Sequence, residues 1–180
     1  MAGPLLAISL AQPAVAGPVT YTYRGNAFNT FFGGDACPPA CEVSGSFTVA
    51  AALASNLVNT TITPTSFSFT DGSVVLTNLT TSSVFDFYVS TNTIGQISTS
   101  WGIDLSSSTY QLFTFDGSLS PPALYSAVDG SYPMPYTGEQ AYIANSPGTW
   151  TSAPEPASLL LLSTGIVAVG WACRKRRQRR

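Results

Sequence analysis

Histidine is absent from this chain of 180 residues, and charged side chains are scarce at 9%. Without histidine, Ser-His-Asp and Cys-His catalysis cannot operate, and most metal-hydrolase sites lose their usual ligand. Residues 17–153 contain one base, Arg24, against eight carboxylates. Because nucleic-acid binding depends on clusters of Lys and Arg beside phosphates, this composition excludes a nucleic-acid partner.

The same stretch has many Ser and Thr residues, at about 40 positions, which favours strands over helices. Apolar and polar side chains alternate at residues 19–23, 43–49, 66–70 and 84–89, as in strands with one buried face. Further strands are predicted at residues 94–105 and 110–115, and Asp71-Gly72 and Asp116-Gly117 predict turns. The sequence therefore predicts a single all-β domain over residues 17–144, an antiparallel β-sandwich that is jelly-roll-like, with a curled barrel as the alternative.

The N-terminus has the pattern of an export signal. A short apolar run at residues 5–10 is followed by Ala14-Val15-Ala16, the small-x-small pattern that signal peptidases accept. We therefore predict that residues 1–16 are a signal peptide.

The C-terminus has the pattern of a membrane anchor. Residues 157–173 carry no charge, and 17 residues as a helix reach about 25 Å, the lower limit for crossing a bilayer. A basic cluster that stays on the cytoplasmic side follows at residues 174–180. This stop-transfer tail contains Arg174, Lys175, Arg176, Arg177, Arg179 and Arg180. The preceding domain is then expected to face outward.

Pro154-Glu155-Pro156 stands directly before the apolar segment. Its two prolines stop the helix from extending backward and keep the tripeptide extended. Tripeptide, apolar helix and arginine-rich tail, over residues 154–180, together resemble the PEP-CTERM sorting domain. The resemblance implies an exosortase partner, which is a membrane-embedded transpeptidase that removes the helix and tail. It also implies delivery to the surface or extracellular matrix of a Gram-negative bacterium, with exopolysaccharide as a further partner.

The segment before this signal, residues 145–153, has the composition of a linker. Cys37 and Cys41 are separated by three residues, and in an exported domain they predict a disulfide. A redox site is less favoured because the spacing is not C-x-x-C, and a zinc site lacks two ligands. No metal site and no cofactor is predicted. Cys173 lies in the segment that processing discards.

Two function classes remain. The first is a non-enzymatic surface or matrix protein, with no catalytic residues, associated with exopolysaccharide or a biofilm; an uncleaved single-pass anchor is a variant of it. The second is a carbohydrate-binding or weakly carbohydrate-active module, in which Trp101 and Trp150 stack on sugar rings. Tyrosines at positions 125, 132, 136 and 142 are further candidates for stacking. A glycosidase would need two carboxylates about 5–10 Å apart. The candidates are Asp86, Asp104, Asp116, Asp129 and Glu139.

Overall fold

A computed structural model describes residues 17–33, 41–117 and 127–154. These residues form twelve β-strands and no helix. The strands are β1 (Val19–Arg24), β2 (Thr30–Phe32), β3 (Ser44–Val49), β4 (Thr60–Thr61), β5 (Ser66–Thr70), β6 (Val75–Thr77), β7 (Ser83–Thr91), β8 (Ile97–Ser106), β9 (Tyr110–Asp116), β10 (Ala127–Pro133), β11 (Gln140–Ala144) and β12 (Thr149–Pro154).

The strands form two antiparallel sheets. The small sheet has the order β12-β1-β3-β5-β6, and the large sheet has the order β2-β11-β10-β9-β8-β7-β4. Within the large sheet, β7 to β11 follow one another as neighbours, which makes a meander. A jelly roll is instead built from two Greek keys. The all-β, two-sheet architecture is thus confirmed, while the connectivity differs from the predicted jelly roll.

The core lies between the inner faces of the two sheets. Phe47 of the small sheet meets Phe87 of the large sheet edge-on, with 5.2 Å between ring centroids. Tyr23 and Trp101 make a similar contact at 5.7 Å. Edge-to-face pairs of this kind stabilise a core by about 0.5–1.5 kcal/mol beyond the burial of their area. The sheets therefore pack face to face as a sandwich.

The hairpin predicted at Asp71-Gly72 joins β5 to β6. Gly72 has a φ of 97°, a left-handed backbone conformation that residues with a side chain rarely adopt. The loop is wider than a two-residue turn, because Thr70 pairs with Val75 and four residues lie between them. The Asp71 carboxylate accepts hydrogen bonds from the backbone N–H groups of Ser73 and Val74, and so closes the loop.

The predicted linker at residues 145–153 is wrong over most of its length. Thr149–Pro154 is strand β12, and each of its six residues pairs with a residue of β1. Trp150 packs against the core, so the strand has an apolar inner face that a linker would lack. The folded domain consequently extends past residue 144 to Pro154.

The predicted signal peptide (1–16), apolar segment (157–173) and basic tail lie outside the described residues. In the part of the chain that is described, no helix could span a membrane.

Candidate functional sites

The sorting signal begins where the small sheet ends. Pro154 is the last residue of β12 and pairs with Val19, the first residue of β1. Residue 19 lies three positions after the predicted signal-peptide cleavage site, so both ends of the domain leave it side by side. Glu155 and Pro156 follow outside the described residues. Because β12 ends at Pro154, the folded domain reaches the first residue of the tripeptide.

Cys41 is buried, and its sulfur is disulfide-bonded. The described residues include no second cysteine. Since Cys37 lies outside them, the Cys37–Cys41 pairing stays a prediction.

The two candidate tryptophans occupy different environments. Trp101 is 3% exposed, and its Nε1 donates a hydrogen bond to Thr114 Oγ1 at 2.9 Å. It is a core residue, so its predicted role as a sugar-stacking platform is wrong. Trp150 is partly buried and lines a cavity at the side of the sandwich. Trp150 therefore remains a candidate.

Three of the four candidate tyrosines belong to one surface. Strand alternation turns Asp129, Ser131 and Ala141 toward the core, and so turns Tyr132 and Tyr142 to the outer side of the large sheet. Further rings extend this surface, which we call the outer aromatic face. It consists of Phe32, Tyr88, Phe113, Tyr132, Tyr136 and Tyr142. Tyr125 lies outside the described residues.

The rings of the outer aromatic face are held by one another and by glycines. Tyr132 meets Tyr136 edge-on at 5.4 Å, and Phe32 stacks on Tyr142 at 6.2 Å. The Tyr88 ring lies against the backbone of Gly102, where a Cβ atom would clash with it. Gly130 is covered in the same way by Phe113. These contacts keep the rings in place without a ligand.

A pair of carboxylates lies beside these rings. Asp86 of β7 and Asp104 of β8 are directly opposite partners, and such residues have Cβ atoms about 4.5–5.5 Å apart. Gln111 Nε2 donates a hydrogen bond to Asp104 Oδ1 at 2.7 Å. Partial burial, with a smaller contribution from the charge of Asp86, raises the pKa of Asp104 to about 6. The sequence named both acids, but only the strand register shows that they are neighbours.

Two other acids, Asp71 and Asp129, are buried inside the domain. Asp129 is buried beside Tyr23, and burial raises its pKa to about 6. Asp71 is also buried, but its pKa is lowered, because hydrogen bonds from Tyr110, Val74, Ser131 and Ser73 outweigh the effect of burial. Both are structural rather than candidate catalytic groups. The sequence predicts only a turn at Asp71, and it does not predict these hydrogen bonds across the sheets.

Among the described residues, no three His, Cys, Asp or Glu side chains lie close enough to hold a metal ion. Arg24, the only base in the described ranges, forms an ion pair with Glu42 at 3.1 Å. The described surface therefore presents no unpaired cation to an anionic ligand.

These features define an all-β domain that continues directly into a C-terminal sorting signal. Residues 152–177 match the PEP-CTERM protein-sorting motif. The match begins inside β12 and contains the whole Pro154-Glu155-Pro156 tripeptide. A motif of this kind implies export and sorting by an exosortase in bacteria. Comparison with curated proteins and with solved structures gave no match.

Proposed function

We propose that the mature protein is a non-enzymatic component of the cell surface or extracellular matrix, associated with exopolysaccharide or a biofilm. The observation that carries this proposal is the sorting motif at residues 152–177, which starts within the last strand of the domain. In the proposal, residues 157–173 anchor the precursor in the membrane transiently. An exosortase then separates the folded domain from this anchor.

Intact mass of the protein recovered from the producing cell tests the sorting step. We expect a chain that begins near residue 17 and lacks residues 157–180. Replacing Glu155 with Ala is expected to leave the anchored precursor in the membrane. Recovery of a chain that still ends at Arg180 would establish the alternative, an uncleaved single-pass membrane protein.

The outer aromatic face supports the association with polysaccharide. Aromatic rings pack on the apolar faces of sugar rings, while amide and carboxylate groups such as those of Gln111 and Asp104 bond hydroxyl groups. The absence of an unpaired cation in the described residues favours a neutral polysaccharide over an acidic one, because acidic chains would be repelled by the carboxylates.

Co-sedimentation with the cell's own exopolysaccharide tests this association. The variant Tyr136→Ala removes a ring that is 57% exposed on the face, and Phe85→Ala removes a ring that is 60% exposed at the β7 bulge, outside the face. We expect Tyr136→Ala, combined with Tyr132→Ala, to reduce the bound fraction several-fold. Phe85→Ala is the matched control and should bind as the wild type does. Equal loss in both variants would count against the face.

The Asp86–Asp104 pair favours a second candidate function, slow hydrolysis of a matrix glycan. Two neighbouring carboxyl groups, one of them with a raised pKa as Asp104 has, are the arrangement that a retaining glycosidase uses. Release of reducing ends from the co-produced polysaccharide would support it, provided that Asp86→Asn and Asp104→Asn each abolish the release. If the wild type releases no reducing ends, the second candidate function is wrong and the non-enzymatic proposal stands.

A further inference from the structure

A cavity of about 310 Å³ opens at the side of the sandwich, where the edge strand β12 passes the start of β8. It is lined by Tyr21, Gln96, Ile97, Trp150, Thr151 and Ser152. Tyr21 and Ser152 are opposite partners on β1 and β12, and Trp150 is two residues from Ser152, so these three side chains share the inner face. Small-molecule sites are commonly preformed cavities of this size or larger.

The aromatic walls of this cavity are fixed in place. Tyr21 stacks on Phe47 at 5.2 Å, and its hydroxyl accepts a hydrogen bond from the backbone N–H of Leu53 at 3.0 Å. Trp150 contacts the rings of Tyr23 and Trp101 at 4.9 and 6.1 Å. A ligand would therefore meet a partly exposed Trp150 ring that is already ordered, backed by the buried Tyr21, and binding would cost little side-chain entropy.

The remaining lining is polar but uncharged. Gln96 and Ser152 bring an amide and a hydroxyl group to the mouth, and the six lining residues include no Asp, Glu, Lys or Arg.

We propose that this cavity binds one neutral sugar residue, with its apolar ring face against the Trp150 ring and its hydroxyl groups toward Gln96 and Ser152. A partly exposed tryptophan ring beside uncharged polar groups matches a pyranose better than it matches a charged or wholly apolar molecule. The proposal rests on the proposed function only for the source of the sugar, the exopolysaccharide. It adds a site for a single sugar that is separate from the outer aromatic face.

Tryptophan fluorescence of the purified mature protein tests the site. Trp101 and Trp150 are the tryptophans that the mature chain would keep, so Trp101→Phe leaves Trp150 as the reporter. We expect a saturable change with a neutral disaccharide such as cellobiose or diacetylchitobiose, and at least tenfold weaker binding of glucuronic acid. The absence of a saturable change with any neutral saccharide would overturn the proposal.

Two substitutions on β12 make the test specific. Ser152→Leu places bulk in the cavity and is expected to weaken binding at least tenfold. Thr149→Leu, on the same strand but outside the cavity lining, should leave it unchanged. Equal affinity in both variants would overturn the proposal. Should Ser152→Leu lower the melting temperature, Gln96→Ala, at the exposed mouth, replaces it with an expected loss of at least threefold.

Failure of this site and failure of the proposed function give different results. If the protein sediments with exopolysaccharide but no soluble saccharide perturbs Trp150, the cavity proposal is wrong and the proposed function stands. If saccharides perturb Trp150 but intact exopolysaccharide does not retain the protein, the cavity proposal stands and the association with exopolysaccharide is wrong.

Discussion

The hydroxyl of Tyr23 lies 2.9 and 2.7 Å from the two carboxylate oxygens of Asp129, across the interior between the sheets. A second hydrogen bond joins the sheets in the opposite direction. Here Tyr110 of the large sheet donates to Asp71 Oδ2 of the small sheet at 2.6 Å. Each sheet thus contributes one buried acid and one tyrosine. Because a buried carboxylate is costly unless it is hydrogen-bonded, the two connections also fix how the sheets are aligned.

Replacing Tyr23 with Phe should destabilise the domain by about 2 kcal/mol near neutral pH, because the Asp129 carboxylate loses a donor while it remains buried. The hydrogen bond from Tyr23 lowers the pKa of Asp129, so the substitution should raise that pKa above its present value of about 6. The penalty is therefore expected to shrink at pH 5, where Asp129 is largely protonated. Urea unfolding at pH 5 and pH 8 measures both effects.

Tyr136→Phe is the matched control, because it removes a hydroxyl from an exposed ring. It should change the free energy of unfolding by less than about 0.5 kcal/mol at either pH. A loss in Tyr23→Phe that is the same at pH 5 and pH 8 would contradict a role for the Asp129 charge, and would assign the loss to the backbone N–H of Gly148, which donates to the Tyr23 hydroxyl at 2.9 Å.

The strands that the sequence predicted and those that it missed differ in local composition. Residues 66–70 and 84–89 alternate cleanly, and the structure has strands there. Strand β10 was missed because it contains Asp129-Gly130 and ends in Pro133, which locally favour turns. It is a strand because Asp129 finds its partner on the other sheet and Gly130 leaves room for Phe113. Long-range contacts, which a local pattern does not contain, decide this element.

Among the candidate sites too, those made of contiguous residues can be predicted from the sequence, and those that the fold assembles cannot. The sorting motif is a contiguous tripeptide followed by an apolar run and a basic tail, so the sequence alone was sufficient to find it. The Asp86–Asp104 pair depends on strand register, and the cavity depends on residues from β1, β8 and β12. Neither arrangement has a signature in the order of residues.

The role of β12 predicts how truncation affects the domain. A chain ending at residue 148 should be less stable than one ending at residue 154 by at least about 3 kcal/mol, because it loses Trp150 from the core as well as the pairing with β1. Thermal unfolding of the two chains measures the difference. Equal melting temperatures would mean that residues 149–154 act as the linker that their composition suggested.

The contact between Tyr88 and Gly102 predicts a coupled pair of substitutions. Gly102→Ala should destabilise the domain by about 1–3 kcal/mol, since the new Cβ atom would clash with the Tyr88 ring. In a chain that already carries Tyr88→Ala, Gly102→Ala should lower the free energy of unfolding by markedly less. A double-mutant cycle by urea unfolding measures this coupling, and additive effects would show that the ring does not press on the glycine.

Asp104 gives the sharpest prediction for pH dependence. Its pKa is raised to about 6 in the folded state, whereas the ordinary value is 3.8, so the folded protein binds the proton more tightly than the unfolded chain does. The contribution of Asp104 to stability is therefore most favourable below about pH 4 and is lost as the pH rises to about 6. Asp104→Asn should thus stabilise the protein at pH 7. A shift of this size corresponds to about 3 kcal/mol, which partial exposure reduces to roughly 1 kcal/mol.

The amide of Asn at position 104 still accepts the hydrogen bond from Gln111, so the substitution changes the charge with little change in shape. Asp86→Asn is the companion variant, and it should lower the pKa of Asp104 because it removes a neighbouring negative charge. Carboxyl titration by NMR reads this pKa directly, and urea unfolding from pH 4 to pH 8 reads the free energy. If Asp104→Asn were less stable than the wild type at pH 7, the Asp104 carboxylate would be favourable in its ionised form, and the raised pKa would be wrong.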